Sequence, residues 1–196
     1  MNNANGKNST HLFISAFVFL LLFLVAACKP KSNDPKLPEP APIAGLHPYA
    51  QTVVALNFGG PEYKASDGVL YLADSLNIDS VVGSSAEIKG SQDAALFRTY
   101  RAATTTNNLV LQFPLDNGRY ALTFKFAEPD NIKVGERQFD INVEGKTVIS
   151  GLDILLARDN NILSSLARTI TGVEVTDGVL NVELVALKGQ PIIHAM

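Results

Sequence analysis

One stretch, Arg119 to Gly145, limits the fold more than any other. Its first part sets Tyr120, Leu122, Phe124 and Phe126 on one side and Ala121, Thr123 and Lys125 on the other. Its last part repeats the pattern, with Phe139, Ile141 and Val143 alternating with Asp140, Asn142 and Glu144. A period of two with one polar face is what a half-buried antiparallel strand requires. Two neighbouring strands are therefore expected to give large side chains to a common core. The polar segment Glu128 to Arg137 between them is too long for a tight turn, and an exposed loop carried by two rigid strands is where function collects.

The chain beyond residue 50 continues in the same idiom. Val53–Phe58 predicts a first strand, ended by Gly59-Gly60-Pro61. Val69–Leu72, Ala95–Tyr100 and Leu109–Phe113 predict further short strands, while Ser75–Asp93 has weak periodicity and is expected to be irregular. Asp116-Asn117-Gly118 is a strong hairpin signal into the Arg119 strand. Glu144-Gly145-Lys146 turns into Thr147–Ser150, and Leu166–Val175 is expected to pair with Leu180–Leu187 across Thr176–Val179. A short helix fits only at Ile154–Leu166, weakened by Asn160-Asn161 and Ser164-Ser165. Many short strands with turn residues every 8–12 positions predict an all-β antiparallel β-sandwich.

The N-terminal quarter has a different composition. Residues 1–27 read as a signal peptide, with Lys7 followed by a charge-free, mainly apolar run from Leu12 to Val25. That run is shorter than the roughly 20 residues a membrane span needs, and it suits a signal-peptide core. It ends in Leu24-Val25-Ala26-Ala27-Cys28, which resembles the bacterial lipoprotein box. The resemblance implies cleavage before Cys28 and acylation of its thiol, hence a membrane partner through the N-terminal lipid and a place in the cell envelope. An ordinary secretory signal with a coincidental cysteine is the other reading. Residues 28–50, with Pro30, Pro35, Pro38, Pro40, Pro42 and Pro48, read as the anchor and a tether. Extended polyproline at about 3.1 Å per residue would hold the following domain up to roughly 60 Å away. Residues 51–196 form the globular part.

Several chemistries lack their residues. Cys28 is the only cysteine, so no intramolecular disulfide and no cysteine-rich metal site is expected. The three histidines, His11, His47 and His194, are far apart in sequence, and no metal site is expected. There is no nucleophile elbow, P-loop or dinucleotide fingerprint, so no cofactor and no catalytic residue is assigned. A formal charge of −3 without an extended basic run argues against nucleic acid. His194, among apolar neighbours, reads as a hydrogen-bonded structural histidine. Asp67 and Asp74 read either as turn caps or as residues near a ligand. Arg101 and Arg137 have Asp140, Glu128 and Asp74 as candidate partners, and an arginine fork that fixes loops is the commoner use.

Ordered blocks of sequence point to a family. FAE followed by G-E-R-x-F-D-I-x-V-E-G resembles the signature of the malectin domain, a carbohydrate-binding, galactose-binding-like jelly-roll sandwich. ALNFGG (Ala55–Gly60), SDGVLYLAD (Ser66–Asp74), LFRTYR (Leu96–Arg101), GLDI (Gly151–Ile154) and PIIHAM (Pro191–Met196) follow the family order. The resemblance spans about residues 51–196. It implies a non-catalytic domain whose partner is an oligosaccharide or glycan. Sugar binding needs an aromatic face for C–H groups and planar polar groups for hydroxyls. Tyr71 falls on a family aromatic position, and Asp74 and the 128–136 loop are expected beside it, with Asp130 in that loop. Tyr63 and Tyr100 are the alternative rings. Pro129-Asp130 replaces the adjacent aromatic pair of animal malectin, and Gly189 or Gln190 replaces its C-terminal aspartate, so diglucosyl specificity does not carry over. A domain that keeps the fold as a protein-interaction module, or a fragment of a longer glycan-degrading protein whose last strand is cut short, are the competing readings.

Overall fold

The computed structural model describes residues 51–76, 78–104 and 108–196. The signal sequence, Cys28, the proline-rich tether, His11 and His47 lie outside the described residues. Twelve strands are assigned: β1 (Leu56–Asn57), β2 (Tyr63–Lys64), β3 (Leu70–Ala73), β4 (Ser80–Ser84), β5 (Thr99–Ala103) and β6 (Leu109–Pro114), followed by β7 (Gly118–Phe126), β8 (Gln138–Val143), β9 (Lys146–Leu152), β10 (Leu166–Val175), β11 (Val179–Lys188) and β12 (Ile192–Ile193). The only helical pieces among the described residues are two 3-10 turns, Ala94–Phe97 and Leu156–Arg158.

The strands form an all-β sandwich. One sheet has the order β6-β11-β8-β9, and every neighbour is antiparallel. Opposite it β7 pairs antiparallel with β10. Alternation in the sequence becomes alternation in burial: Leu109, Leu111 and Phe113 of β6 point inward, as do Leu122, Phe124 and Phe126 of β7. Phe139, Ile141 and Val143 of β8 and Leu180, Val182 and Leu184 of β11 complete the main core. The Phe126 and Phe139 rings meet at 5.8 Å between centroids, within the range of favourable aromatic pairs. Thus β7 and β8 share a core as expected, but they belong to facing sheets.

A second group is built on the C-terminal segment. β12 pairs with β5, and β5 with β4, all antiparallel. Ala195 bridges to Asn57 on one side and Lys125 on the other, which ties this group to β1 and β7. Five main-chain hydrogen bonds, at 2.8–3.1 Å, fix the segment: Leu56 N–H to Met196 O, Met196 N–H to Leu56 O, Phe58 N–H to His194 O, Lys125 N–H to Ala195 O and His194 N–H to Lys125 O. The PIIHAM segment is therefore fully paired where it lies. A smaller core beneath β3 gathers Tyr71, Ala65, Ile88, Leu96, Phe97 and Ala127.

Several local expectations change. β6 and β7 do not form a hairpin across Asp116–Gly118, because β6 pairs with β11 and β7 with β10. Likewise β10 and β11 lie in different sheets, and Thr176–Gly178 is a corner between them. A tight turn closes a hairpin only if both flanking strands bury their apolar faces on the same side, and here they face each other across the core. No helix runs through Ile154–Leu166: Asp159, Asn160 and Leu163 have φ of 51°, 60° and 54°, which interrupts right-handed winding. The segment Ser75–Asp93 contains β4, whose exposed position erases the alternation that would have marked it. The expected strand at Ala95–Tyr100 is a 3-10 turn leading into β5. The β8–β9 hairpin does form. Glu144 and Gly145 take φ of 50° and 69°, as a two-residue primed turn demands.

Phe124 and Phe139 are fully buried. Truncating either to alanine should cost about 3–5 kcal/mol of unfolding free energy, whereas Val110→Ala on exposed β6 should stay within about 0.5 kcal/mol. Urea unfolding of the three variants checks this.

Candidate functional site

The loop between β7 and β8 is closed at its base by a buried ion pair. Glu128 follows the last residues of β7 and Arg137 immediately precedes β8, so the two strand ends flanking the loop carry the paired side chains. Arg137 Nε donates to Glu128 Oε2 at 2.8 Å and Nη2 donates to Oε1 at 3.1 Å. The remaining donors reach Asp130 Oδ2 at 2.6 Å and the Gln190 carbonyl at 2.6 Å. Glu128 has a 1% exposed side chain, and burial, only partly offset by Arg137, raises its pKa. Such a pair is costly to break, since either partner alone would be a buried uncompensated charge.

The rest of the loop is fixed by backbone contacts. Asp130 N–H donates to Glu128 Oε1 at 3.1 Å, Lys133 N–H to Glu136 Oε2 at 2.9 Å, and Leu163 N–H to Glu128 O at 3.1 Å. The buried Asp153 carboxylate accepts from Gly135 N–H at 2.6 Å and Leu156 N–H at 3.0 Å, docking the loop on the GLDI segment. Gly189 closes the far side. Its φ is +63°, and a Cβ there would lie 2.7 Å from Glu136 O. A side chain at Gly189, one of the two residues that stand in for animal malectin's aspartate, would therefore clash with the loop.

Tyr100 stands beside this clamp. Its ring covers Gly83 of β4, which has no side chain to obstruct it. The His194 ring lies 5.3 Å away on the other side. Burial, then the Asp130 charge, raises the Tyr100 hydroxyl's pKa. Asp130 remains 54% exposed, and Oδ1 is free of hydrogen bonds among the described residues. Tyr100 is partly exposed, and Asp130 presents a free carboxylate oxygen on a loop that the ion pair holds.

The other nominated residues lie elsewhere. Tyr71 is only 6% exposed and belongs to the smaller core, with the Lys125 ammonium 4.9 Å from its ring centroid. The expectation of an open stacking face at Tyr71 is corrected, because inward-facing alternation on β3 carries it under the sheet. Tyr63, opposite Tyr71 in the β2–β3 pair, donates to Asp93 Oδ1 at 3.1 Å, and Asp93 also holds the Ser66 N–H at 2.7 Å. Burial and the Asp93 carboxylate raise Tyr63's pKa. Sequence reading missed Asp93, for which no local motif signals a partner 27 residues away.

Asp74 is saturated. It accepts from Gly59 N–H at 2.7 Å, Leu76 N–H at 2.9 Å and Arg101 Nε at 2.5 Å. Burial opposes its ionisation, but these donors together lower its pKa. Arg101 also donates to Ser80 Oγ and the Leu76 carbonyl, so it is a fork that fixes loops. Asp67 caps its own turn through Val69 N–H at 3.0 Å. Asp140, the remaining candidate for an arginine, accepts instead from Gly151 N–H at 2.6 Å.

His194 differs from expectation in one respect. Nδ1 accepts from Ala127 N–H at 3.3 Å, which leaves the neutral ring's proton on Nε2, and Nε2 has no partner among the described residues. Burial, then the positive charge of Arg137, lowers its pKa to about 3. Among the described residues no group of three or more His, Cys, Asp or Glu side chains is arranged to hold a metal ion, and no helix is long and apolar enough to cross a membrane.

These features define an all-β sandwich with a clamped loop between β7 and β8. The malectin domain model matches residues 52–196, and the chain belongs to that family. No curated protein matches it. Among solved structures, a Bacteroides uniformis β-glucuronidase aligns with a TM-score of 0.60 at 17% identity, over 72% of this chain and 17% of the enzyme. The ANX1 ectodomain from Arabidopsis thaliana aligns with a TM-score of 0.61 at 16% identity, over 72% of this chain and 46% of that one. A plant structure of the peptide RALF23 in complex with FER and LLG2 aligns at 0.59 and 16% identity, over 73% and 47%. The chain spans less than half of each of these proteins, and at such identities the likeness is one of fold.

The His194 shift has a definite sign. A histidine that stays neutral when folded, with a pKa below its unfolded value, contributes stability above pH 6.5 that is lost as pH falls toward 3. The slope approaches about 1.4 kcal/mol per pH unit in that window. The raised pKa of Glu128 works in the opposite direction, so the comparison must be differential. The unfolding free energy of His194→Gln should fall less steeply than wild type between pH 6.5 and 4, as measured by urea titration at each pH.

Proposed function

We propose that this is a non-catalytic carbohydrate-binding lipoprotein of the bacterial cell envelope, with its glycan site at the Tyr100–Asp130 edge of the sandwich. The observation that carries the reading is the exposed carboxylate of Asp130, held in place on the clamped β7–β8 loop by buried Arg137. The Tyr100 hydroxyl, which makes no hydrogen bond among the described residues, can donate to a sugar hydroxyl, and a carboxylate oxygen accepts from paired hydroxyls. Arg137 and Glu128 position Asp130; their own polar atoms are engaged with the loop. Membership of the malectin family supports carbohydrate binding or protein interaction as the general role. With no open stacking ring, affinity should be weak, micromolar to millimolar, or roughly −8 to −4 kcal/mol.

Isothermal titration of oligosaccharides found on a glycan array tests the site. Tyr100→Ala and Asp130→Asn should each weaken binding at least about tenfold, with Asp130→Asn leaving the unfolding midpoint nearly unchanged. Tyr71→Ala should instead lower stability by about 3 kcal/mol, as buried aromatic truncations do. Binding that survives both edge variants would remove the site from this edge.

A second reading, a protein-interaction module, is favoured by the burial of Tyr71 and the replacement of the paired aromatics by Pro129-Asp130. A glycan array without a hit would leave that reading standing.

The lipid anchor rests on the Leu24–Cys28 motif. Two or three acyl chains, at about 0.8 kcal/mol per buried methylene, would hold the protein stably at a membrane. Metabolic labelling with a fatty acid should mark the wild-type chain and not Cys28→Ala, and an unlabelled wild type would refute the anchor.

A further inference from the structure

Sheet edges carry unpaired N–H and C=O groups and are ordinarily blunted by charge, proline, bulges or brevity. Among the described residues, the outer strands β2, β6, β9 and β10 follow this rule. β2 is two residues long and includes Lys64, and β6 ends in Pro114. β9 begins with Lys146 and shifts register twice against β8, and β10 carries Arg168 and a register break between Thr171 and Val173. β4 has none of these devices. Its sequence, Ser80-Val81-Val82-Gly83-Ser84, is uncharged, and its register with β5 runs unbroken from Ser80–Ala103 to Ser84–Thr99. Its other side makes no main-chain hydrogen bond among the described residues. Val81 is 46% and Val82 55% exposed, so the strand is apolar on both faces.

We propose that β4 is a self-association edge, at which a second copy of this chain pairs antiparallel about a two-fold axis through Val82. Isologous pairing demands that the strand complement itself when reversed. Reversed about Val82, Ser80 opposes Ser84, Val81 opposes Gly83 and Val82 opposes Val82 of the second copy. The Tyr100 ring already lies over Gly83, so the incoming Val81 meets the outer edge of an aromatic ring where the strand lacks a side chain. On the other face the two Val82 side chains meet at the axis. Aromatic–β-branched and β-branched pairs are the favourable cross-strand partners in an antiparallel ladder. No charge within either strand opposes another, and Arg101 beneath Val82 is already neutralised by Asp74. Five residues per strand give a small interface, so the association is weak and depends on concentration.

Light scattering of the full chain in a mild detergent, over a concentration series, tests the pairing. Wild type should shift from monomer to dimer as concentration rises. Val82→Glu and Val82→Lys, each placing like charges across the axis, should raise the dissociation constant at least tenfold. Their unfolding midpoints should stay near wild type, because Val82 is largely exposed. An equimolar mixture of the two variants should recover association, since opposite charges then face each other. A wild type that stays monomeric throughout overturns the proposal, even if an added extended peptide binds at Val82, which would assign the edge to a foreign strand. Dimers of either variant as tight as wild type also overturn it, as does a mixture of well-folded variants that fails to associate.

Discussion

The main-chain pairing of Ile192–Met196 is the constraint on which the other parts depend. A five-residue segment at the end of the sequence bonds to β5, β7 and β1, three elements that have little other main-chain connection. Because backbone groups must find partners when buried, removing this segment would leave three ladders open at once. It also explains the burial of His194, whose carbonyl and N–H are both committed to neighbouring strands while its ring is driven between Phe97 and Tyr100. The candidate site inherits its geometry from the same segment. Gly189 and Gln190, just before it, supply the close backbone approach to Glu136 and the carbonyl that receives Arg137.

What the sequence made legible was the part of the fold with one wet and one dry face. β7, β8 and β11 alternate in burial as their residues alternate in polarity, so period alone located them. Connectivity was less accessible. The turns at Asp116–Gly118 and Thr176–Gly178 look like hairpin turns, but a turn specifies a reversal and not the sheet to which the chain returns. β4 was invisible for a related reason, since a strand exposed on both faces has no hydrophobic period. The apparent helix at Ile154–Leu166 failed because left-handed residues at 159, 160 and 163 carry no strong signal when they are Asp, Asn and Leu rather than glycine.

The site was legible in its parts and not in its assembly. Arg101 with Asp74 and Arg137 with Glu128 were both among the partners that residue chemistry allowed, and the structure selects them. Asp130 is exposed on the clamped loop, whereas Tyr71, the residue indicated by family position, is inside. Strand phase decides the difference. A single-residue step along β3 exchanges the core for solvent, and sequence reading located the strand without fixing which of its faces was covered.

The bidentate Arg137–Glu128 pair has a consequence for how this surface can change. By joining the two feet of the β7–β8 loop, it gives the strands a fixed separation that does not depend on what lies between them. Residues 131–134 are thereby insulated: their identity and even their number can be altered with only a slowly growing entropic cost of closure. The strand phase beneath is preserved. The scaffold works as a socket with an interchangeable rim, in which recognition can drift while folding is held constant.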